Sequence, residues 1–166
     1  MNACQVADRV NRASRGHVHG GYSRAIDPTT TFAVLRGRYP MLMAILERDP
    51  TAFRQQLAGH PKSAEERDAK GLGPLQIAAY CGEASMVEAL LKAGLDPQPA
   101  LAAPGALSLA LHGRHLAPSK AEHVKTVELL LASDFYQHPD QRPGFVCLYV
   151  ALFNGAPYLL RPLMEA

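Results

Sequence analysis

Seven histidines, three cysteines and one pair of adjacent glutamates are the groups in this sequence with the chemistry for catalysis or metal binding. His112, His115 and His123 lie close together along the chain, and imidazoles are zinc ligands. No cysteine or acid completes a set at the spacing of a zinc site, so isolated polar histidines are the stronger reading. His17 and His19 could share a metal in the same way, but they have no third ligand nearby, and a polar arm explains them better. Cys4, Cys81 and Cys147 are odd in number, far apart and outside any CxxC motif. They predict buried or idle thiols, not a disulfide framework. Gly71 and Gly73 precede Pro74 in a glycine-rich turn, but the Lys and Ser/Thr of a phosphate loop do not follow. Neither G-x-S-x-G nor H-E-x-x-H occurs, and Glu65 and Glu66 sit in a polar stretch as surface charges do. The expectation is a chain that is not an enzyme and carries no cofactor and no metal.

Among the elements available to hold these side chains, residues 68–97 give the clearest pattern. Pro74 opens a short apolar segment, where a helix has a spare N–H and a fixed φ helps. Leu75, Ala78 and Ala79 share one face at i, i+3, i+4, and the small alanines let a second helix come close. Gly82 ends that helix. Met86, Val87, Leu90 and Leu91 form the apolar stripe of the next one, and Gly94 stands where a left-handed C-terminal residue is wanted. Asp68 to Gly71 supply turn chemistry for a hairpin tip. A unit of hairpin, helix, turn and helix cannot bury its own faces, so it needs stacked neighbours.

Those residues resemble an ankyrin repeat, whose pattern is D-x-x-G-x-T-P-L-H-x-A-A-x-x-G-x-x-x-x-V-x-x-L-L-x-x-G-A-D. Asp68, Gly71, Pro74, Leu75, Ala78, Ala79, Gly82, Val87, Leu90, Leu91, Gly94 and Asp96 occupy the family's places. Gly73, Gln76 and Leu95 replace its usual Thr, His and Ala. The resemblance implies an all-α ankyrin-repeat solenoid of stacked helix-turn-helix units with short hairpin loops. Residues 1–27 are then an N-terminal arm or cap, and residues 28–166 the repeat domain.

Four units are expected, at about residues 28–49, 68–97, 100–134 and 141–166. In the first, residues 32–37 match the end of a first helix. Residues 38–46 match a second helix, with Leu42, Ile45 and Leu46 in the places of Val87, Leu90 and Leu91. Residues 50–67 follow as a long linker with one short helix near residues 51–57. In the third unit Leu107, Ala110 and Leu111 match the first helix, and Val127, Leu130 and Leu131 the second. Residues 115–122 read as an inserted loop, and Gly113 stands one place before the expected glycine. In the fourth, Gly144, Leu148, Ala151, Gly155, Leu160, Leu163 and Met164 match. Pro162 departs from the pattern and predicts a short or kinked last helix.

A chain of 166 residues that is 48% hydrophobic suits one globular domain or a short solenoid. No apolar run is long enough for a bilayer and no signal-peptide core opens the sequence, which predicts a cytoplasmic protein without a membrane segment. The net charge of +2 gives no argument for nucleic acid, although residues 1–48 hold seven Arg against three acids. What the resemblance leaves is protein binding through a concave groove. Its candidate contacts are Leu35, Arg36, Lys70, Leu72, Tyr80, His112, Arg114, Arg142, Phe153 and Asn154. An inhibitor or immunity protein fits this description. A secreted bacterial effector engaging a host protein is the alternative, and a metal-dependent enzyme stands third. The expected state is a monomer, or a weak dimer through an apolar C-terminal end face.

Overall fold

A computed structural model describes residues 39–67, 72–98, 104–138, 140 and 143–166. The N-terminal arm, the first-helix match at residues 32–37 and the hairpin tip at residues 68–71 lie outside the described residues. The described chain is all-α, with nine α-helices and no strand. They are α1 (Pro40–Leu46), α2 (Pro50–Gly59), α3 (Pro74–Cys81), α4 (Ala84–Lys92), α5 (Ala106–His112), α6 (Lys120–Leu131), the single turn α7 (Asp134–Gln137), α8 (Phe145–Phe153) and α9 (Leu160–Glu165).

Local chemistry explains where these helices start. Pro40, Pro50 and Pro74 each occupy a first helical position, where the missing N–H costs nothing. The Asp49 carboxylate caps α2 by accepting from the N–H groups of Thr51 and Ala52, both at 2.9 Å. The Ser119 hydroxyl caps α6 by accepting from the Glu122 N–H.

Two layers result. In one, α1 packs on α3, α3 on α5 and α5 on α8. In the other, α4 packs on α6 and α6 on α9. The antiparallel partners α1/α2, α3/α4, α5/α6 and α8/α9 join consecutive members. Small residues set the spacing of the first layer: Ala44, Ala78, Ala110 and Ala151 are all buried. α3 and the end of α5 come close at Gly113, where a Cβ would fall 1.9 Å from the Tyr80 carbonyl oxygen. Gly113 therefore stands one place before the expected turn glycine because a close contact requires it, and its φ of −79° is ordinary.

Three expectations change. Residues 40–46 are not the second helix of a first unit; they form α1, in line with α3. Residues 50–67 are not mainly linker, since they hold α2 and a 3-10 turn, Pro61–Glu65. The register is an offset of 34, which takes Pro40 to Pro74 and Ala44 to Ala78. The turns match in detail. The Asp49 N–H donates to the Ala44 carbonyl at 2.9 Å, as the Glu83 N–H does to Ala78 at 3.0 Å. Arg48 (φ 57°) takes the left-handed place of Gly82 (φ 68°). The insertion at residues 115–122 is also shorter than expected. Gly113–His115 is a 3-10 turn, α6 begins at Lys120, and Leu116 is buried between them. The last helix is short, as Pro162 predicts: α9 has six residues, and Pro162 is its third, in the first turn, where no intrahelical partner for its nitrogen is needed.

Candidate functional site

The register places Leu46, Tyr80, His112 and Phe153 at equivalent positions near the C-terminal ends of α1, α3, α5 and α8. Because those helices stack in order, the four side chains form a row. Leu46 is buried, Tyr80 and His112 are half-buried, and Phe153 is exposed, so the row opens toward α8. Burial raises the Tyr80 hydroxyl to about 12, so it stays protonated and can donate a hydrogen bond at any physiological pH. The His112 Nδ1 lies 2.7 Å from the Ser108 carbonyl of its own helix, which fixes the ring against α5.

Other sequence candidates are accounted for differently. Leu72 is fully buried and belongs to the core, so it is not a surface contact. The Asn154 side-chain amide donates to the Leu111 carbonyl, and Arg114 donates to the Asn154 carbonyl, both at 3.1 Å. These two residues tie the end of α5 to the end of α8, although the Arg114 side chain remains exposed beside the row. Leu35, Arg36, Lys70 and Arg142 lie outside the described residues.

Among the described residues no group of three or more His, Cys, Asp or Glu side chains gathers at metal-binding distance. His123 is buried, with Nε2 2.7 Å from the Ala110 carbonyl and Nδ1 2.9 Å from the Tyr158 hydroxyl. A carbonyl only accepts, so Nε2 carries the proton and Nδ1 accepts from tyrosine. Lys120 sits 5.7 Å above the Tyr158 ring and completes this cluster between α5, α6 and the start of α9. Burial holds Cys81 up to about 12, which makes it a packing residue with no nucleophilic thiolate.

No family model, curated protein or solved structure matches the chain.

Two further features emerge from the packing. Arg48 reaches along the turns, 3.2 Å from the Glu83 carboxylate and donating to the Leu116 carbonyl. Burial raises the Glu83 pKa and the Arg48 charge opposes that rise. The second feature is the outer face of α8. Phe145, Val146, Tyr149, Leu152 and Phe153 are all exposed, and Tyr149 stacks on Phe153 with ring centres 6.0 Å apart. On the other layer, a groove of about 570 Å³ between the C-terminal ends of α4 and α6 is lined by Leu91, Leu95, Leu129 and Phe135. Lys92 there is already paired with Glu88 at 2.6 Å. Among the described residues no helix is long and apolar enough to cross a membrane.

The His123 geometry predicts a pH effect. Burial lowers its pKa below the ordinary 6.5, so the unfolded chain accepts a proton that the folded chain refuses. This group therefore leaves stability undiminished above about pH 6.5 and lowers it as pH falls from there toward the folded value. Thermal melts at pH 7.5 and 5.5 are expected to show a smaller drop for His123→Gln than for the wild type. Equal drops would mean that the buried imidazole is not the source.

Proposed function

We propose that this chain is an ankyrin-type stack that acts as a non-enzymatic protein-binding module, with the row Tyr80, His112 and Phe153 as the core of its binding groove. The observation that carries the reading is the row itself. Large side chains recur at one register position on successive stacked helices, and their exposure increases along the stack. Tyrosine and arginine are enriched at interface hot spots, and Tyr80 and Arg114 both stand at this surface. The ankyrin part is supported by the residues at 68–97, by the offset of 34 that aligns α1 with α3, and by the matching turns at Arg48 and Gly82.

The test is capture from a lysate of the source cells on immobilised chain, read by mass spectrometry, with wild type, Tyr80→Ala and His112→Glu. One dominant protein should be retained by the wild type and weakened roughly tenfold or more in each variant, as for an interface anchor. Melting curves of both variants establish that they are folded. A partner retained equally by folded variants would move the site off this row.

A further inference from the structure

Two cations from different elements are held around one ring at the edge of the row. Tyr158 stands in the 3-10 turn Pro157–Leu159, between α8 and α9, with its hydroxyl 2.9 Å from His123 Nδ1. Lys120, the first residue of α6, lies 5.7 Å above the centre of that ring. Arg114 comes from the turn after α5 and donates through Nη1 to the Asn154 carbonyl at 3.1 Å. Gly155 leaves room for this guanidinium, because a Cβ there would run into Nη1. Burial raises the Tyr158 pKa, and the Arg114 charge opposes that rise. Neither cation has a carboxylate to answer it. The ion pairs among the described residues are Arg48–Glu83, Lys92–Glu88, His138–Asp140 and Arg161–Glu165. Nη1 is also the one Arg114 nitrogen with a hydrogen bond among the described residues, so Nε and Nη2 are left to a ligand.

We propose that Arg114 and Lys120 receive an acidic side chain of the protein bound in the groove, an aspartate or glutamate whose carboxylate accepts from Nε and Nη2 of Arg114 with the Lys120 ammonium beside it. A guanidinium edge matches the two oxygens of a carboxylate, which makes the contact directional as well as charged. Each long side chain already has a tertiary contact, to Asn154 for Arg114 and to the Tyr158 ring for Lys120, so less freedom is lost when a ligand arrives. The pair continues the row. Arg114 follows His112 by two residues and is bonded to Asn154, the residue after Phe153. Charge selects the occupant. An acidic segment is attracted, whereas residues 1–38 of the chain itself hold six Arg against two Asp and would meet like charge here. The inference rests on reading the row as the groove, and adds to it the chemistry of the partner.

A displayed library of random peptides, panned on the immobilised chain, supplies the probe. Peptides lost with Tyr80→Ala are those seated on the row, and they should be enriched in Asp and Glu. Their synthetic copies should bind Arg114→Glu and Lys120→Glu roughly tenfold or more weakly, with much of the loss in the association rate. Changing the peptide's acid to its amide should weaken binding to the wild type in the same way. Binding should also fall as salt rises from about 0.05 to 0.5 M. Lys120→Glu is expected to fold, since an acid is favoured in the first turn of a helix, and melting curves check both variants. Row-dependent peptides without acidic enrichment, or bound equally by folded Lys120→Glu, overturn the proposal and leave the row as the groove. Acidic peptides lost in Lys120→Glu but indifferent to Tyr80→Ala keep the cation pair and overturn the row. A library that yields no binder overturns both. A wild-type mass that doubles in sedimentation equilibrium, and returns to one chain in Lys120→Glu, would put a second copy on the pair and also overturn the proposal.

Discussion

Gly82→Ala is expected to lower the unfolding free energy by roughly 2–5 kcal/mol, whereas Gly94→Ala should cost only about 1–2 kcal/mol. Both glycines end a helix with positive φ, 68° at Gly82 and 85° at Gly94, so both variants carry the strain of an L-residue in the left-handed region. The difference lies in what a new Cβ would meet. At Gly94 nothing lies within 4 Å. At Gly82 the Cβ would sit 2.6 Å from the Ala117 Cβ and 2.8 Å from the Ala117 Cα. The second contact is with backbone, so no side-chain rotation relieves it, and the turn at residues 116–119 must move. That turn is anchored: Leu116 is buried and its carbonyl accepts from Arg48. Overpacking against an anchored neighbour adds about 1–3 kcal/mol to the backbone strain. Urea unfolding of the two variants reads the difference directly. Equal losses would show that the turn does not lie over Gly82.

The same turn shows how far the sequence can be read. Residues 72–98 were legible because each special place holds its expected type: proline at the helix start, alanines on the contact face, glycine at the left-handed turn. In α1 those places hold Pro40, Ala44 and Arg48. An arginine hides a glycine turn, so the first unit slipped in register. The apolar residues Leu42, Ile45 and Leu46 could not correct it, because i, i+3, i+4 spacing marks any buried helix face and does not say which layer holds it. Phe53, fully buried in α2, lies 34 residues before Val87 and continues the right register. It stands in a segment otherwise rich in polar residues, which reads as a linker.

The candidate site divides along similar lines. Tyr80, His112 and Phe153 were reachable from the pattern, since their places are fixed relative to the turn after each first helix. Whether a neighbour covers a given place depends on three-dimensional order. That is why Leu72 read as a surface residue although it is buried, and why Asn154 read as a contact although its amide is committed to Leu111. The pairing of His123 with Tyr158 joins positions 35 apart through packing alone. Nothing in the local sequence of either residue announces it.

Leu90→Ala should destabilise the chain by roughly 2–5 kcal/mol, the range for a leucine removed from a packed interior. Lys92→Ala, two residues on, should leave stability nearly unchanged. Leu90 lies on the stripe that α4 turns inward with Met86 and Val87, and it is fully buried. Its neighbours come from two directions, because α4 packs against both α3 and α6. Filling the space left by alanine would require both helices to shift toward α4. The α3 side is held by the close contact of Tyr80 with Gly113, and the α6 side by His123 bonded to Ala110 and Tyr158. A site that cannot collapse keeps its cavity, which places the loss in the upper part of the range. Lys92, by contrast, is 74% exposed, and its ion pair with Glu88 is a surface contact of little net value. Thermal or urea unfolding of the two variants under one set of conditions decides the matter. Similar losses would rotate α4 about its axis, take Leu90 out of the core, and with it remove the register that aligns the four helical pairs.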